Sequence, residues 1–295
     1  MERYVIHVTK ECNMKCTYCY EKDKVSTYTW NEVEKLIDNL VKHNKEKRFG
    51  IEFLGGEPLL AFDLIEKSVE YMEAIPNVEV DSYGITTNGT IVPEGFVDFM
   101  KKYPKVFWAA SMDGTKDMNQ LRIMDIKQNS YDTVIENFKL LARELGGVNR
   151  LSIHLVTHPY NVHKLSLGID HLYKIGFRSM GIGTVESTII IDDDYCKHYI
   201  EQLKIVSDKI KNGEYSNLYI DVLNNLKPRS DTRYYIKDES GKIIAESYGR
   251  AKEDITSAQI YKAQAVSSPI SSKIEDIREA VYSYHQSNVG KSYAI

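Results

Sequence analysis

Apolar residues along the first two thirds of the chain alternate between short β-branched runs and longer stretches with helical spacing. The runs are typical of buried strands and cover residues 4–9, 51–54, 78–86, 106–112, 151–157 and 179–185. The stretches repeat apolar residues every three or four positions and predict helices over residues 29–41, 64–72, 93–102, 131–145, 161–174 and 193–211. Six strand-then-helix units predict an α/β fold with a parallel sheet, either an open doubly wound sheet or a barrel.

The alternation stops after about residue 213. Residues 234–246 contain two short apolar runs around a Glu-Ser-Gly turn, which predicts a β-hairpin. Apolar residues at 274, 277 and 281 predict one further helix. The pattern therefore divides the chain into an α/β domain over residues 1–212 and a small α+β extension over residues 213–295.

Composition narrows the class of protein. A chain of 295 residues with 42% apolar residues can bury a substantial core. The net charge of -4 provides no electrostatic attraction to nucleic acid or to an anionic membrane, so a nucleic-acid partner is unsupported. The sequence has no signal-peptide pattern and no apolar stretch of the roughly 18 to 20 residues that a membrane span needs. We therefore expect a cytoplasmic protein without a membrane partner.

Three of the four cysteines fall within one short segment, Cys12-Asn-Met-Lys-Cys16-Thr-Tyr-Cys19, called the cysteine loop below. Thiolates are preferred ligands of zinc and of iron–sulfur iron. A structural zinc site uses four protein ligands and a cubane cluster has four irons, so three cysteines leave one position open for a substrate or cofactor. The alternatives are a zinc site completed by a distant histidine and cysteines that only pack. Clustered thiols also indicate a reducing compartment.

At these residues the sequence resembles the radical S-adenosylmethionine (SAM) superfamily, whose signature is C-x3-C-x2-C with an aromatic residue, here Tyr18, before the last cysteine. The resemblance implies one [4Fe-4S] cluster held by Cys12, Cys16 and Cys19, with SAM bound to the remaining iron. It implies that SAM is cleaved reductively to a 5′-deoxyadenosyl radical, which abstracts a hydrogen atom from the substrate. It also implies a partial (β/α)6 barrel of the TIM type and an external one-electron reductant such as flavodoxin or ferredoxin.

Glycine-containing or polar motifs follow the second, third and fourth predicted strands. Considered alone, Gly55-Gly56-Glu57-Pro58 is an ordinary strand-to-helix turn, and the other two are common turn sequences. Beside the cysteine loop they resemble the GGE, TNG and S-x-D-G segments of peptide-modifying radical SAM enzymes. The resemblance implies that residues 55–57 bind the methionine part of SAM, with the Glu57 charge near its ammonium group.

The same resemblance identifies further candidate contacts to the ribose and carboxylate of SAM, namely Asn88, Ser111, Asp113 and Arg122. Thr157 and His158 end the fifth strand, Asn161 comes shortly after it and Glu186 follows the sixth, so all four are positioned to line the pocket. We expect Thr157 to lie near the adenine or ribose. Three histidines within residues 154–163 lack a cysteine or carboxylate at a metal-ligand spacing, so no second metal site is predicted.

The fourth cysteine, Cys196, lies in a predicted helix and is either a small packed residue or a hydrogen donor in catalysis. No cysteine follows it, whereas the SPASM and twitch domains of the most similar subgroup hold auxiliary clusters with several cysteines. We therefore expect a single cluster, although the hairpin near residues 238–241 resembles that of such a domain. A single cluster favours redox-neutral outcomes such as epimerisation, because oxidative crosslinking needs another electron acceptor.

The motif set predicts a radical SAM enzyme that acts on a peptide or protein side chain. The alternatives are a radical SAM enzyme acting on a small molecule such as a nucleotide or sugar, and a non-catalytic zinc-binding module. The chain opens on its first barrel strand, so we expect no leader-recognition domain before it. A peptide would then be bound by the open side of the barrel, by the region after residue 213, or by a separate peptide-recognition protein.

Overall fold

The structure of the protein is a computed structural model that describes residues 2–19, 21, 24, 26–125, 128–185, 192–224, 233–237, 243–248 and 260–262. Its strands are β1 (Glu2–Thr9), β2 (Arg48–Gly55), β3 (Glu79–Thr87), β4 (Val106–Ser111), β5 (Ile123–Asp125), β6 (Gln128–Asn129), β7 (Leu151–Thr157), β8 (Ser179–Thr184), β9 (Tyr219–Ile220), β10 (Arg233–Lys237), β11 (Ile243–Tyr248) and β12 (Ile260–Lys262). Its α-helices are α1 (Trp30–His43), α2 (Phe62–Ala74), α3 (Phe96–Lys102), α4 (Tyr131–Glu144), α5 (Leu165–Ile175), α6 (Asp193–Lys211) and α7 (Asp221–Asn224).

Helix α1 shows how local sequence sets an element boundary. The Glu32 carboxylate accepts hydrogen bonds from the backbone N–H and the hydroxyl of Thr29, both at 2.8 Å. This interaction satisfies donors that the first helical turn leaves unpaired. The apolar positions that predicted the helix form its buried face: Val33, Leu36, Ile37 and Leu40. Burial of each such side chain contributes about 1.5–3 kcal/mol.

The chain forms two compact units, of which the first contains residues Met1–Asn13, Glu21–Ala109 and Arg229–Val266. Its strands follow the order β12-β10-β11-β1-β2-β3-β4. The pairs β1–β2 and β2–β3 are parallel. The pairs β10–β11, β10–β12 and β1–β11 are antiparallel, so the predicted hairpin is present and its second strand extends the parallel sheet.

The parallel strands of the first unit end at one edge of its sheet. Thr9 at the end of β1 is in register with Gly55 at the end of β2, and β3 ends at Thr87. The side chains of Ile51 and Phe53 on β2 are fully buried, as is typical of a strand inside a parallel sheet. The segments that follow β1, β2 and β3 therefore meet at this edge.

The second unit contains residues Met14–Tyr20, Ala110–Pro228 and Ser267–Ile295, so β4 begins in the first unit and ends in the second. Strands β7, β8 and β9 are parallel neighbours, and β5 and β6 form a separate antiparallel ribbon. The apolar faces of the strands and helices supply its core, including Leu155, Ile182 and Leu203.

The six predicted strand-then-helix units are present, which confirms the α/β class. The helix predicted over residues 161–174 starts instead as a short 3-10 turn, Val162–Lys164, before α5. Five elements, β5, β6, β9, β12 and α7, were not predicted because each contains only two to four residues, too few to show a period. The helix predicted near residue 277 lies outside the described residues, and the domain boundary at residue 213 stays a prediction.

No helix in the described part of the chain combines the length and the apolar character that crossing a membrane requires.

Candidate functional site

The cysteine loop directly follows β1. Cys12 belongs to the first unit, whereas Cys16 and Cys19 belong to the second. All three side chains are half-buried, and none forms a disulfide.

In the first unit, the turn after β2 is bonded to the residues that precede Cys12. The backbone N–H of Gly56 donates to the Thr9 carbonyl at 2.9 Å, and that of Glu57 donates to the Glu11 carbonyl at 2.7 Å. A Cβ atom added at Gly55 would come within 2.3 Å of the Thr9 carbonyl oxygen. One added at Gly56 would come within 2.3 Å of the Glu11 carbonyl oxygen. The two glycines are therefore required by the close approach of this turn to the start of the cysteine loop.

The carboxylate of Glu57 is fully buried and connects the turn after β2 to the turn after β3. It accepts hydrogen bonds from the Leu59 N–H at 3.0 Å, the Thr87 hydroxyl at 2.6 Å and the Asn88 N–H at 2.6 Å. Burial raises the pKa of Glu57 to about 7, although these hydrogen bonds favour the ionised form. The charge that the sequence led us to expect beside the SAM ammonium is thus enclosed by donors of the protein itself.

Asn88 lies against the first cysteine. Its Nδ2 is 3.8 Å from Cys12 Sγ and donates to Asn13 Oδ1 at 2.7 Å. Its Oδ1 accepts from the backbone N–H of Thr90 at 2.9 Å. Hydrogen bonds to ligating sulfur atoms orient them and tune a metal centre. Asn88 is therefore placed to support Cys12, and its expected contact with SAM stays a prediction.

In the second unit, Tyr18, Asp113 and Arg122 form a buried group called the Asp113 cluster below. The Tyr18 hydroxyl donates to the Asp113 carboxylate, 2.7 Å from Oδ2 and 2.9 Å from Oδ1. Arg122 Nε donates to Asp113 Oδ1 at 2.8 Å, and the Arg122 guanidinium lies 5.4 Å from the centre of the Tyr18 ring. Burial raises the pKa of Tyr18 well above its ordinary value, so the hydroxyl stays a donor.

The Asp113 cluster fixes the second half of the cysteine loop, because Tyr18 stands between Cys16 and Cys19. Backbone hydrogen bonds act in the same place: the N–H groups of Lys15 and Thr17 donate to carbonyls of residues 123 and 121 at 2.8 and 3.0 Å. Asp113 and Arg122, both predicted to contact SAM, are thus bonded to each other and to the loop. Ser111 is the last residue of β4 and is half-buried.

Thr157 and Cys196 lie deeper in the second unit. The Thr157 hydroxyl donates to the Gly183 carbonyl at 2.9 Å and lies 2.6 Å from the Tyr195 hydroxyl. Cys196 is the next residue on α6 and is buried, with 6% of its surface exposed. Thr157 therefore joins β7 to β8 and α6, and its expected contact with SAM stays a prediction. Glu186 lies outside the described residues.

No sequence signal indicated the supporting roles of three further residues, because their partners are distant in the chain. Asn13 and Thr87 bond to residues 75 and 30 positions away, and Tyr195 bonds to one 38 positions away. A single sequence does not reveal such pairs.

The donor set of the cysteine loop fits an iron–sulfur cluster, since it offers three thiols with an amide donor next to one of them. No three His, Cys, Asp or Glu side chains among the described residues are grouped as ligands of a single metal ion.

Comparison with known proteins agrees with this chemistry. A family model of the Radical SAM superfamily matches residues 6–166. A cysteine-type anaerobic sulfatase-maturating enzyme of Clostridium novyi is 27% identical over 178 residues, which are 56% of this chain and 45% of that protein. A probable GTP 3′,8-cyclase of Methanococcus vannielii is 24% identical over 216 residues, which are 71% of this chain and 66% of that protein.

A solved structure described as native anSMEcpe with bound AdoMet and Kp18Cys peptide has a similar fold, with a TM-score of 0.64 at 18% identity. The match covers 75% of this chain and 64% of that one. It confirms the predicted fold class, an α/β partial barrel of the TIM type. Several curated relatives are matched over less than half of their length, between 40% and 45%. Similarity alone therefore does not assign the activities of those whole proteins to this chain.

Proposed function

Because the chain belongs to the radical SAM superfamily, whose members use a [4Fe-4S] cluster and SAM, we propose that it cleaves SAM reductively and abstracts a hydrogen atom from a peptide or protein substrate. The observation that carries the proposal is the cysteine loop at the end of β1, with the turn at residues 55–57 and the Asn88 amide bonded against it. These parts match the ligand set and the supports that the chemistry needs.

Cys12, Cys16 and Cys19 would ligate the cluster. Together the cluster and SAM would supply a 5′-deoxyadenosyl radical when both are bound. The chain's own contribution is positional. Asn88 orients Cys12, and the Asp113 cluster holds the segment between the other two cysteines.

Residues 55–57 are the proposed binding segment for the SAM ammonium group, through the backbone. The Glu57 carboxylate would act indirectly, because it fixes the turns after β2 and β3 relative to each other. The proposed contacts to the rest of SAM remain those that the motifs predicted: Asn88, Ser111, Asp113, Arg122 and Thr157. An external one-electron donor, flavodoxin or ferredoxin, would reduce the cluster.

The peptide substrate is supported by the sulfatase-maturating relative and by the similar structure with a bound peptide. A separate protein that recognises the peptide would be a partner in this case. A reaction that uses one cluster favours epimerisation over oxidative crosslinking, since epimerisation needs no net electron acceptor. Cys196 is the proposed hydrogen donor for that step, and the external one-electron donor, with a proton from solvent, would return the resulting thiyl radical to a thiol.

A second candidate substrate is a nucleotide. It is favoured by the probable GTP 3′,8-cyclase, whose match extends over 71% of this chain. Purified enzyme given either GTP or candidate peptides would separate the two, because the correct substrate increases the rate at which 5′-deoxyadenosine forms.

The test of the proposal is SAM cleavage by the full chain after anaerobic iron–sulfur reconstitution and reduction with dithionite. We expect 5′-deoxyadenosine and methionine from the parent protein and neither from Cys16→Ser. Thr17→Ser, an exposed neighbour on the same loop, is the matched control and should retain cleavage. Equal traces of product from the parent and from Cys16→Ser would refute the proposed chemistry.

The hydrogen-donor role of Cys196 has its own test. We expect Cys196→Ala to form 5′-deoxyadenosine but to release no epimerised peptide. If Cys196→Ala releases epimerised peptide at the full rate, Cys196 is only a packed residue of α6.

A further inference from the structure

Three side chains beside the first cysteine form a closed ring of hydrogen bonds, called the amide ring below: Asn13, Asn88 and Thr90. Asn88 Nδ2 donates to Asn13 Oδ1 at 2.7 Å, and Asn13 Nδ2 donates to Thr90 Oγ1 at 2.9 Å. The Thr90 hydroxyl donates to Asn88 Oδ1 at 2.7 Å and closes the ring. All three residues belong to the first unit. Each side chain therefore donates one bond and accepts one bond within the ring.

Backbone groups fix the direction in which the Asn88 amide points. The N–H of Thr90 donates to Asn88 Oδ1 at 2.9 Å, and a backbone N–H can bond only to the oxygen end of an amide. The N–H of Asn88 donates to the buried Glu57 carboxylate at 2.6 Å, which holds the backbone of this residue. Exchanging the two ends of the amide would leave the Thr90 N–H facing an NH2 group. Nδ2 is therefore the end that faces the cysteine loop.

The amide ring uses one of the two hydrogens on Asn88 Nδ2. The other is available to Cys12 Sγ, which lies 3.8 Å from Nδ2. Only 8% of the Asn88 surface is exposed, so water competes little for this donor. A cysteine that ligates iron is a thiolate, which is a stronger acceptor than the thiol. The ring therefore holds an N–H group against a sulfur atom that would ligate the cluster.

A hydrogen bond to a ligating sulfur affects the two redox states of a cluster unequally. Reduction adds one negative charge that the iron and sulfur atoms share, so the donor is bound more strongly in the reduced state. Hydrogen bonds to the sulfur atoms are among the properties that set the reduction potential of a cluster. An N–H group at Cys12 therefore raises the potential, which makes it easier for the external donor to deliver its electron.

The hydroxyl of Thr90 is used within the ring both as a donor, to Asn88, and as an acceptor, from Asn13. Its influence on Cys12 therefore passes through the Asn88 amide. Without this hydroxyl the ring would open, and the amide would turn more freely because the χ2 torsion of asparagine is soft. Loss of the Thr90 hydroxyl would thus loosen the donor at Cys12 while the donor itself remains in the chain.

We propose that Thr90 is a positioning residue that holds the Asn88 amide against Cys12, and that the resulting N–H···S hydrogen bond raises the reduction potential of the cluster. This role rests on the proposed ligation of a [4Fe-4S] cluster by the cysteine loop. It adds to that function a device by which the chain sets how easily the cluster is reduced.

The test is a redox titration of the full reconstituted chain, followed by the electron paramagnetic resonance signal of the reduced cluster. SAM is left out, because Asn88 is also a proposed contact to SAM. The valine of Thr90→Val has nearly the shape of threonine but lacks the hydroxyl. We expect this variant to have a lower midpoint potential, with the reduction equilibrium shifted by up to about tenfold, which is about 59 mV for a one-electron couple.

Thr90→Ser keeps the hydroxyl and should have the midpoint potential of the parent. The matched control is Thr86→Val, since the Thr86 hydroxyl donates to Glu52 Oε1 at 2.6 Å and takes no part in the amide ring. It should lower stability but leave the midpoint potential unchanged. Asn88→Ala removes the donor itself and should lower the potential at least as much as Thr90→Val. This second variant keeps the test decisive if Thr90→Val does not retain its cluster.

Three results would overturn the role of Thr90. They are equal midpoint potentials of Thr90→Val and Thr90→Ser, a parent potential in Asn88→Ala, and a shift in Thr86→Val as large as that in Thr90→Val. Cleavage of SAM by the parent is measured on the same preparation. If the parent cleaves SAM and Thr90→Val has the parent potential, only the role of Thr90 is contradicted. A parent that binds no cluster or does not cleave SAM contradicts the proposed function.

Discussion

The carboxylates of Glu57 and Asp113 are both buried, and each accepts hydrogen bonds from residues distant in sequence. A buried carboxylate is tolerated only when donors surround it. The donors differ between the two sites: Glu57 binds two backbone N–H groups and a hydroxyl, whereas Asp113 binds a guanidinium and a phenol. The two residues therefore respond differently to substitution.

For the Asp113 cluster, we expect Tyr18→Phe to lower the free energy of unfolding by about 1–3 kcal/mol, because the buried carboxylate loses one of its donors. Denaturation in urea measures the change. Tyr160→Phe removes the hydroxyl of an exposed tyrosine and should change stability by less than about 0.5 kcal/mol. If the two variants unfold at the same urea concentration, the hydroxyl of Tyr18 does not stabilise the loop.

The raised pKa of Glu57 predicts that the stability of the folded protein depends on pH. Its pKa is raised from 4.5 to about 7 in the folded protein, so the folded state holds a proton that the unfolded state releases between these values. The contribution of Glu57 to the free energy of unfolding is therefore fully present below about pH 4.5. It is lost as the pH rises to about 7, and the loss is up to about 3 kcal/mol. The glutamine side chain of Glu57→Gln cannot ionise, so this variant does not lose stability from this group as the pH rises.

The measurement is urea unfolding of the parent and of Glu57→Gln between pH 4.5 and 8. The parent should lose stability relative to the variant up to about pH 7 and then stay level. If the difference in free energy of unfolding between the parent and Glu57→Gln does not change with pH, the Glu57 carboxyl has an ordinary pKa in the folded protein.

Glu57, Tyr18 and Asp113 show how much of the site the sequence predicts. The position of Glu57 after a strand was predicted by its motif, but its partners were not, because Thr87 and Asn88 lie 30 and 31 positions away. The same holds for Tyr18 and Asp113, which are 95 positions apart. The spacing of residues within a motif shows which side chains are candidate ligands. Contacts between distant residues depend on tertiary packing, which cannot be inferred from a single sequence.

At the scale of elements, strand β2 shows why its end carries two glycines. Its interior glycine, Gly50, has ordinary space: an added Cβ would be 3.4 Å from side-chain atoms of Arg3 and Ser82. At Gly56, just after the strand, an added Cβ would be 2.3 and 2.4 Å from two backbone carbonyl oxygens. Real Cβ atoms do not approach carbonyl oxygens so closely, so the backbone would have to move.

We therefore expect Gly56→Ala to destabilise the fold by more than about 2 kcal/mol and to reduce iron retention after reconstitution. Gly50→Ala is the matched control in the same strand and should be neutral or slightly stabilising, because alanine loses less backbone entropy on folding. Thermal unfolding and iron content measure both effects. Similar melting temperatures for the two variants would contradict the close approach of this turn to the cysteine loop.

The longer elements were predictable because each repeats its pattern several times. Strand β7 and helix α6 have the predicted bounds, since seven alternating residues and nineteen helical residues give a clear period. Strand β9 contains two residues and was not predicted. Its pairing with β8 depends on the tertiary fold and not on local propensity.

At the scale of the whole molecule, cysteine usage limits the chemistry. The chain has four cysteines, three in the cysteine loop and one in α6, so it can ligate one cluster of this type. The central claim is that this loop holds a [4Fe-4S] cluster with one iron left for SAM. All the proposed chemistry depends on that open position.

Mössbauer spectroscopy of the full chain reconstituted with iron-57 tests this claim most directly. We expect the signal of one [4Fe-4S] cluster, with about four irons per chain, and a change in the signal of a single iron when SAM is added. Cys16→Ser should give no such cluster. A spectrum that SAM leaves unchanged, or a reconstituted protein without a cubane cluster, would contradict the account.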